Sequence, residues 1–225
     1  YIPQNRDTDE MQSLQGGDGF SWDLDTYTYR ANIKLERKLD EIDDRGVTAN
    51  RQNWLVEGAK LTYEAIWADV FNRALGTAPI LADDGMYLID SSRPNPRAGA
   101  STWSNLESSS AITETSLFTA ALAARQTTSA NGVLMPLSIK KIIIPPAQER
   151  NMWILLKSTN KVNSANNDAN WANEAFSMDD VIVYDWLTSS YIFYMLDDPK
   201  SESNELIHGD RVKPNVITYP GANPD

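Results

Sequence analysis

The feature that most constrains the fold is a long amphipathic segment, residues 48–75. Thr48 or Asn50 is a suitable N-cap, and Gly76 suits the left-handed backbone that often follows a helix. About 28 residues rising 1.5 Å each would form a rod of roughly 40 Å. Apolar and small residues recur at spacings of three and four, as on one face of an α-helix: Trp54, Gly58, Leu61, Ala65, Ala68, Phe71 and Leu75. We therefore predict one long helix that ends at Gly76.

Two further aromatic residues of this helix, Tyr63 and Trp67, lie outside the stripe and one turn apart. Their position predicts apolar contacts on more than one side of the helix. A wide core face within one domain would explain them, and so would a contact with a neighbouring subunit. The sequence leaves both explanations open.

The composition is typical of folded proteins and excludes several kinds of cross-link and active site. Its 225 residues are 41% hydrophobic and 23% charged, as expected for one large domain or two joined ones. Without cysteine there can be no disulfide, thiolate metal site or cysteine nucleophile. His208 is the only histidine of the sequence, which disfavours both a zinc site built from several histidines and a Ser-His-Asp triad.

The charge balance and the hydropathy disfavour further classes of protein. A net charge of -11 repels phosphate backbones and disfavours a sequence reader of duplex DNA. No apolar run approaches the ~18 residues of a membrane span, so no membrane partner is predicted. The sequence starts at Tyr1 rather than Met, and we expect that terminal segments are missing from it.

The remaining elements predict an α+β fold. We predict an extended hairpin or arm over residues 1–46, with a tight turn at Gln15-Gly16-Gly17-Asp18-Gly19, and mainly loop with short extended pieces over residues 78–110. A second amphipathic helix spans 113–126, with Leu117, Phe118, Ala121 and Leu122 on one face. Because helices and strands do not alternate strictly, this order disfavours a doubly wound sheet, a barrel or a solenoid.

The carboxyl-terminal half supplies most of the predicted strands. A buried strand at 138–144 ends at Pro145-Pro146, which open a helix over 147–158. An asparagine-rich connection follows at 160–173 and is predicted to be irregular. Two apolar strands at 181–184 and 191–196 then predict a hairpin.

A search for catalytic or binding motifs returns no assembled site. Glycoside hydrolysis needs two carboxylates about 5 to 10 Å apart, and three acidic pairs invite that interpretation: Asp83/Asp84, Asp179/Asp180 and Asp197/Asp198. Neighbours on an extended segment point to opposite sides, however, so none of these pairs is favoured as catalytic. Calcium-loop and phosphate-loop spacings are absent. We predict no catalytic residue, metal or cofactor, and a structural or interaction protein rather than an enzyme.

Several motifs in residues 83–158 follow one another in an order that is more informative than any one of them. They are Asp83-Asp84-Gly85-Met86-Tyr87-Leu88-Ile89, the helix 113–126, Asn131-Gly132-Val133-Leu134-Met135-Pro136-Leu137, Ile142-Ile143-Ile144-Pro145-Pro146 and Leu155-Leu156-Lys157-Ser158. In this order they resemble the major capsid proteins of tailed double-stranded DNA bacteriophages, whose shell-forming fold is named after phage Hong Kong 97. The chain departs from the pattern at Asp90-Ser91-Ser92-Arg93, where relatives often have a histidine.

The resemblance implies a division of nearly the whole chain. Residues 1–46 would be the extended arm or E-loop hairpin, and 47–110 the peripheral domain with its spine helix. Residues 111–200 would form mainly the axial domain, and 201–225 would return toward the periphery. Only the middle of the chain carries recognisable motifs.

The function implied is self-assembly of a structural protein. Copies would form hexamers and pentamers of an icosahedral capsid, assembled in the host cytoplasm and present in the virion. The shell would enclose double-stranded DNA without sequence-specific binding, and its further partners would be portal, scaffold and decoration proteins. An encapsulin-like compartment shell is the alternative with the same fold, and an acidic-pair glycan hydrolase is the enzyme alternative.

Aromatic residues bury much area per side chain and are the best candidates for contacts between subunits. On the arm these are Trp22, Tyr27 and Tyr29, and on the long helix Tyr63 and Trp67. Each could equally be a core residue of its own subunit.

Overall fold

The computed structural model describes residues 28–33, 46–76, 85–94, 102–107, 111–128, 134–162 and 168–197. Within these ranges the protein is α+β, with four α-helices and two small sheets. The helices are α1 (Val47–Asn72), α2 (Glu114–Arg125), α3 (Glu149–Lys157) and α4 (Trp171–Ala175). The strands are β1 (Arg93–Pro94), β2 (Thr102–Trp103), β3 (Ile139–Ile144), β4 (Val181–Val183) and β5 (Tyr194–Asp197).

The described residues fall into two compact units. One contains residues 28–33 and 46–67, which include most of α1. The other contains the described residues from 68 to 197 and holds both sheets and the remaining helices. The boundaries predicted at residues 46, 110 and 200 stay predictions.

Helix α1 confirms the long helix predicted from the apolar spacing. It ends at Asn72, and a turn continues the chain to Gly76. Gly76 has a φ of 126°, a value that suits glycine and that side chains rarely adopt. The helix therefore ends three residues before the predicted Leu75, and Gly76 closes the turn that follows it.

The larger sheet has the order β4-β3-β5, with β3 in the centre. Strand β4 runs parallel to β3, with Ile142 opposite Val181, and β5 runs antiparallel to it. The predicted hairpin of the last two strands is wrong, because they lie on opposite edges of β3. The physical reason is that Ile142, Ile143 and Ile144 are all buried, and a strand covered on both faces is best placed between two others.

Apolar residues cover both faces of this sheet. On one face a buried cluster joins β3 to helices α2, α3 and α4 through Leu117, Ile142, Ile144, Met152, Leu155, Leu156, Ala172 and Phe176. On the other face Ile143 and Tyr194 pack with Ala74, Phe71 and Leu88. The last turn of α1 is thus part of the core that surrounds the sheet.

Pro145 and Pro146 behave as predicted at the start of the third helix. A single 3-10 turn, Pro146–Gln148, follows β3 and leads directly into α3. On α3, Met152, Leu155 and Leu156 face the core.

Helix α4 lies in a stretch that was predicted to be irregular, so the prediction fails at residues 171–173. Asn170 is 1% exposed, and its side-chain oxygen accepts a 3.1 Å hydrogen bond from the Ala172 amide. Its Nδ2 donates to the carbonyls of Leu155 at 2.6 Å and Ser158 at 2.8 Å. The same amide therefore caps the start of α4 and satisfies carbonyls at the end of α3.

Helix α2 confirms the predicted element and part of its predicted face. Thr113 is the N-cap and forms a capping box with Ser116. Leu117 is buried and Ala121 is half-buried, whereas Phe118 and Leu122 are largely exposed. The Phe118 ring nevertheless lies 5.1 Å from the ring of Trp171 on α4.

Strands β1 and β2 form the smaller sheet, in the region predicted to contain short extended pieces. The Arg93 guanidinium lies 5.2 Å from the centre of the Trp103 ring and donates to the Leu88 carbonyl. Asn105 exchanges backbone and side-chain hydrogen bonds with Asp90.

Candidate subunit interface

The five aromatic residues predicted at an interface lie in different parts of the chain. Trp22 and Tyr27 are outside the described residues. Tyr29 lies in the separate segment 28–33 and is 65% exposed. Helix α1 places Tyr63 and Trp67 on adjacent turns, where both are half-buried.

The amphipathic stripe of α1 is exposed over much of its length. Trp54 is 64% exposed and Leu61 49%, and Gly58 and Ala65 between them are also exposed. We call these four residues the α1 stripe. Further along the same face, Ala68 is buried.

A second exposed aromatic residue lies on α3. Trp153 is 54% exposed, whereas Met152, Leu155 and Leu156 on the same helix are buried. Helical spacing places Glu149, Arg150 and Lys157 near it on the same exposed side, and we call this group of four the α3 face. Sequence reasoning missed Trp153, although its position outside the helix's core spacing was a usable signal.

A third exposed site is the connection between β4 and β5, residues 185–191, which we call the 185–191 loop. It carries Trp186 and Tyr191, which are 42% and 71% exposed. From the sequence, a hairpin turn was predicted at residues 187–190 with the second strand beginning at Tyr191, and Trp186 was not identified.

Side chains from two helical segments hold this loop in place. Asn72 Nδ2 donates to the Trp186 carbonyl at 3.0 Å, and Asn72 Oδ1 accepts from the Thr188 amide at 2.9 Å. Gln148 Nε2 donates to the Ser190 carbonyl at 2.9 Å. The loop thus presents its aromatic side chains on a backbone that is fixed from both ends.

Acidic residues of the predicted pairs make structural contacts. Asp180 accepts from the Ser177 amide as part of a capping box and forms a 3.3 Å ion pair with Lys141. Asp197 accepts a hydrogen bond from the Ser138 amide. Asp83, Asp84, Asp198 and His208 lie outside the described residues.

Two titratable groups have pKa values shifted by their surroundings. The Glu114 carboxylate, 2.7 Å from Lys161 Nζ, raises the pKa of that lysine through a hydrogen bond and charge attraction. Burial raises the pKa of the Tyr194 phenol because the charged form loses solvation. The first shift reflects attraction within an ion pair, and the second reflects the cost of charging a phenol away from water.

Among the described residues, no three acidic or histidine side chains come together in a way that could hold a metal ion. In the same parts of the chain, no helix has the length and apolar character needed to cross a bilayer.

Comparison with known proteins adds no assignment. The chain matches no protein-family profile, no curated protein and no solved structure.

Proposed function

We propose that this chain is a structural subunit that assembles with copies of itself into hexamers and pentamers of an icosahedral virus head, with a fold of the Hong Kong 97 type. The shell would enclose double-stranded DNA and would also engage portal, scaffold and decoration proteins. The observation that carries the proposal is the exposure of large apolar side chains at three places among the described residues: the α1 stripe, the α3 face and the 185–191 loop.

This distribution suits a shell subunit better than a monomeric enzyme. A subunit in a closed shell contacts several neighbours through different surfaces, and each contact needs its own apolar anchors. Trp54, Trp153 and Trp186 lie on three different elements, and each is more than 40% exposed. Scattered single apolar residues are ordinary on protein surfaces, but exposed tryptophans on three ordered elements favour interfaces.

The charge of the chain is compatible with a container for DNA. A net charge of -11 limits adhesion of the wall to the phosphate backbone, so the enclosed DNA stays free to be packaged and released. The hydrolase alternative receives no such support, since Asp180 and Asp197 already serve a cap, an ion pair and a strand terminus.

The test is the size of the particles formed by the full chain, measured by electron microscopy and light scattering. We expect uniform hollow shells tens of nanometres wide, as the sum of many modest interfaces. A stable monomer at all concentrations, also in the presence of candidate scaffold proteins, would contradict the proposal. Particles filled with a protein cargo in place of DNA would reassign the chain to the compartment shells.

A matched pair of variants tests whether the α1 stripe contributes. Trp54→Asp places a charge on the stripe, whereas Asn53→Asp adds the same charge to the neighbouring exposed position. We expect Trp54→Asp to abolish or strongly reduce assembly while its circular dichroism spectrum stays native, and Asn53→Asp to assemble normally. Equal assembly by both variants would remove the α1 stripe from the interface.

A further inference from the structure

The 185–191 loop and the α3 face have complementary character. The loop combines the exposed carboxylate of Asp185 with the aromatic rings of Trp186 and Tyr191. The α3 face surrounds Trp153 with Arg150 and Lys157, and Glu149 leaves it one positive charge in excess. One surface is therefore acidic and aromatic, and the other is basic and aromatic.

The charged groups of the two surfaces are available for a partner. Asp185, Arg150 and Lys157 form no ion pair with any described residue, in contrast to Lys141 and Lys161. Exposed charges of opposite sign on separate surfaces attract each other between molecules and fix the register of docking.

The loop is organised in advance for such a contact. Asn72 uses both ends of its amide on the loop backbone, and Thr188 Oγ1 adds a third hydrogen bond to Asn72 Oδ1 at 3.2 Å. Ser189 Oγ accepts from the amides of Tyr191 and Ile192. A fixed backbone lowers the entropy lost when aromatic side chains dock, which is the main advantage of preorganisation.

We propose that the 185–191 loop of one copy docks on the α3 face of the next copy. Asp185 would pair with Arg150 or Lys157, and Trp186 and Tyr191 would pack against Trp153. This inference rests on the proposed function and names the contact that joins neighbours within a ring.

The two surfaces are linked within one subunit. Gln148, immediately before α3, donates to the Ser190 carbonyl, so the hydrogen bond sets the position of the loop relative to the start of the helix. Because the two surfaces differ, a subunit that uses one surface for each neighbour makes a head-to-tail contact, whereas two copies that use both surfaces on each other form a two-fold pair. A head-to-tail contact repeated at a fixed angle closes into a ring or continues as a filament.

Cross-linking tests the contact directly, because the natural chain contains no cysteine. Full-length Asp185→Cys carrying a mass tag is mixed with untagged Lys157→Cys and treated with diamide as oxidant. We expect a mixed-mass disulfide dimer well above the level given by a control mixture of Asp185→Cys and Arg125→Cys, since Arg125 is an exposed cation on another helix. A mixed dimer no more abundant than in the control overturns the inference.

Charge reversal supplies a second measurement that does not depend on cysteine. We expect Asp185→Lys alone, and Arg150→Asp with Lys157→Asp, each to raise the concentration needed for association by about tenfold. Combining all three changes should restore association, whereas Arg125→Asp should have no effect. Absence of rescue together with unchanged association of the single-side variants would overturn the docking.

These experiments distinguish a failure of the proposed function from a failure of the proposed contact. Wild-type shells without the specific cross-link would leave the proposed function intact and remove this contact. A specific cross-link in small rings, with no shell under any condition, would keep the contact and contradict the capsid assignment.

Discussion

The hydroxyl of Tyr194 on β5 donates a 2.7 Å hydrogen bond to the carbonyl of Phe71 in the last turn of α1, and the two rings lie 5.2 Å apart. The same carbonyl also accepts a 3.2 Å hydrogen bond from the Ala74 amide, in the turn that follows the helix. The tyrosine hydroxyl is thus a second donor to this carbonyl and fixes the helix end to the edge of the sheet. The contact involves only these two residues, but it connects elements that are far apart in the sequence.

Replacing Tyr194 by Phe should lower the free energy of unfolding by about 1 kcal/mol near neutral pH, because the hydrogen bond is lost while the ring remains. The wild type should also lose stability at alkaline pH. Burial raises the tyrosine pKa above 10.0, so the unfolded chain ionises first and the contribution present below that pH disappears as the pH rises through the folded-state value.

Urea unfolding of both proteins at about pH 8 and about pH 11 checks this prediction. The difference in stability between wild type and Tyr194→Phe should shrink at the higher pH. Other groups, Lys161 included, titrate in both proteins and therefore cancel in the comparison. A difference that does not change with pH would contradict the assignment of the alkaline loss to Tyr194.

Replacing Asn170 by Ala should be among the most damaging single changes, at about 3 kcal/mol of unfolding free energy. The substitution removes hydrogen bonds to Leu155, Ser158 and Ala172 in a site that water does not reach. Asn151→Ala is the control, because that exposed amide bonds only to the Gln148 side chain among the described residues. Chemical denaturation should place the control within about 0.5 kcal/mol of the wild type.

Replacing glycine by alanine should have opposite effects inside α1 and immediately before it. Gly58 is inside α1, and a Cβ there would meet no atom within 4 Å, so Gly58→Ala should stabilise the subunit by about 0.5 to 1 kcal/mol. Gly46 has a φ of 64°, so Gly46→Ala should destabilise it by about 1 kcal/mol. Thermal unfolding under conditions that keep subunits apart measures both, and a gain of stability at Gly46 would contradict the helix boundary.

Asn72→Ala should loosen the 185–191 loop while leaving the sheet intact. The change removes three hydrogen bonds to Trp186 and Thr188, but Ile143 and Tyr194 keep their apolar contacts. Hydrogen exchange of the Thr188 amide should accelerate strongly, and exchange within β3 should not. Unchanged protection of Thr188 would mean that the loop is held by other contacts.

Elements whose signal lies in a single segment were predicted well. The three- and four-residue spacing of α1 and the Pro145-Pro146 break after β3 each specify local structure, and both were confirmed. The exposure of Phe118 and Leu122 on α2 was not predicted, because their hydrophobicity alone places them on the buried face. How far each residue is covered depends on neighbours that the local pattern does not contain.

Errors occur where distant residues decide the outcome. The last two strands have the composition of a hairpin, yet each pairs with β3 instead of with the other. Helix α4 depends on Asn170 reaching back to the end of α3. For the candidate interface, Trp153 could have been identified from its spacing, whereas the hydrogen bond from Asn72 to Trp186 joins residues 114 positions apart and has no local signal.

The central position of β3 also determines when the protein can fold during synthesis. Ile139–Ile144 leaves the ribosome well before Tyr194–Asp197, its antiparallel neighbour. Until that last strand appears, one edge of an isoleucine-rich strand remains open to unintended pairing. Strand β3 pairs with β5 only after the long segment between them has closed into a loop, and this closure costs entropy before the pairing stabilises it. We therefore expect the sheet to form late and slowly. The three consecutive isoleucines that stabilise the finished core are thus the segment that most needs protection while the chain is still being made.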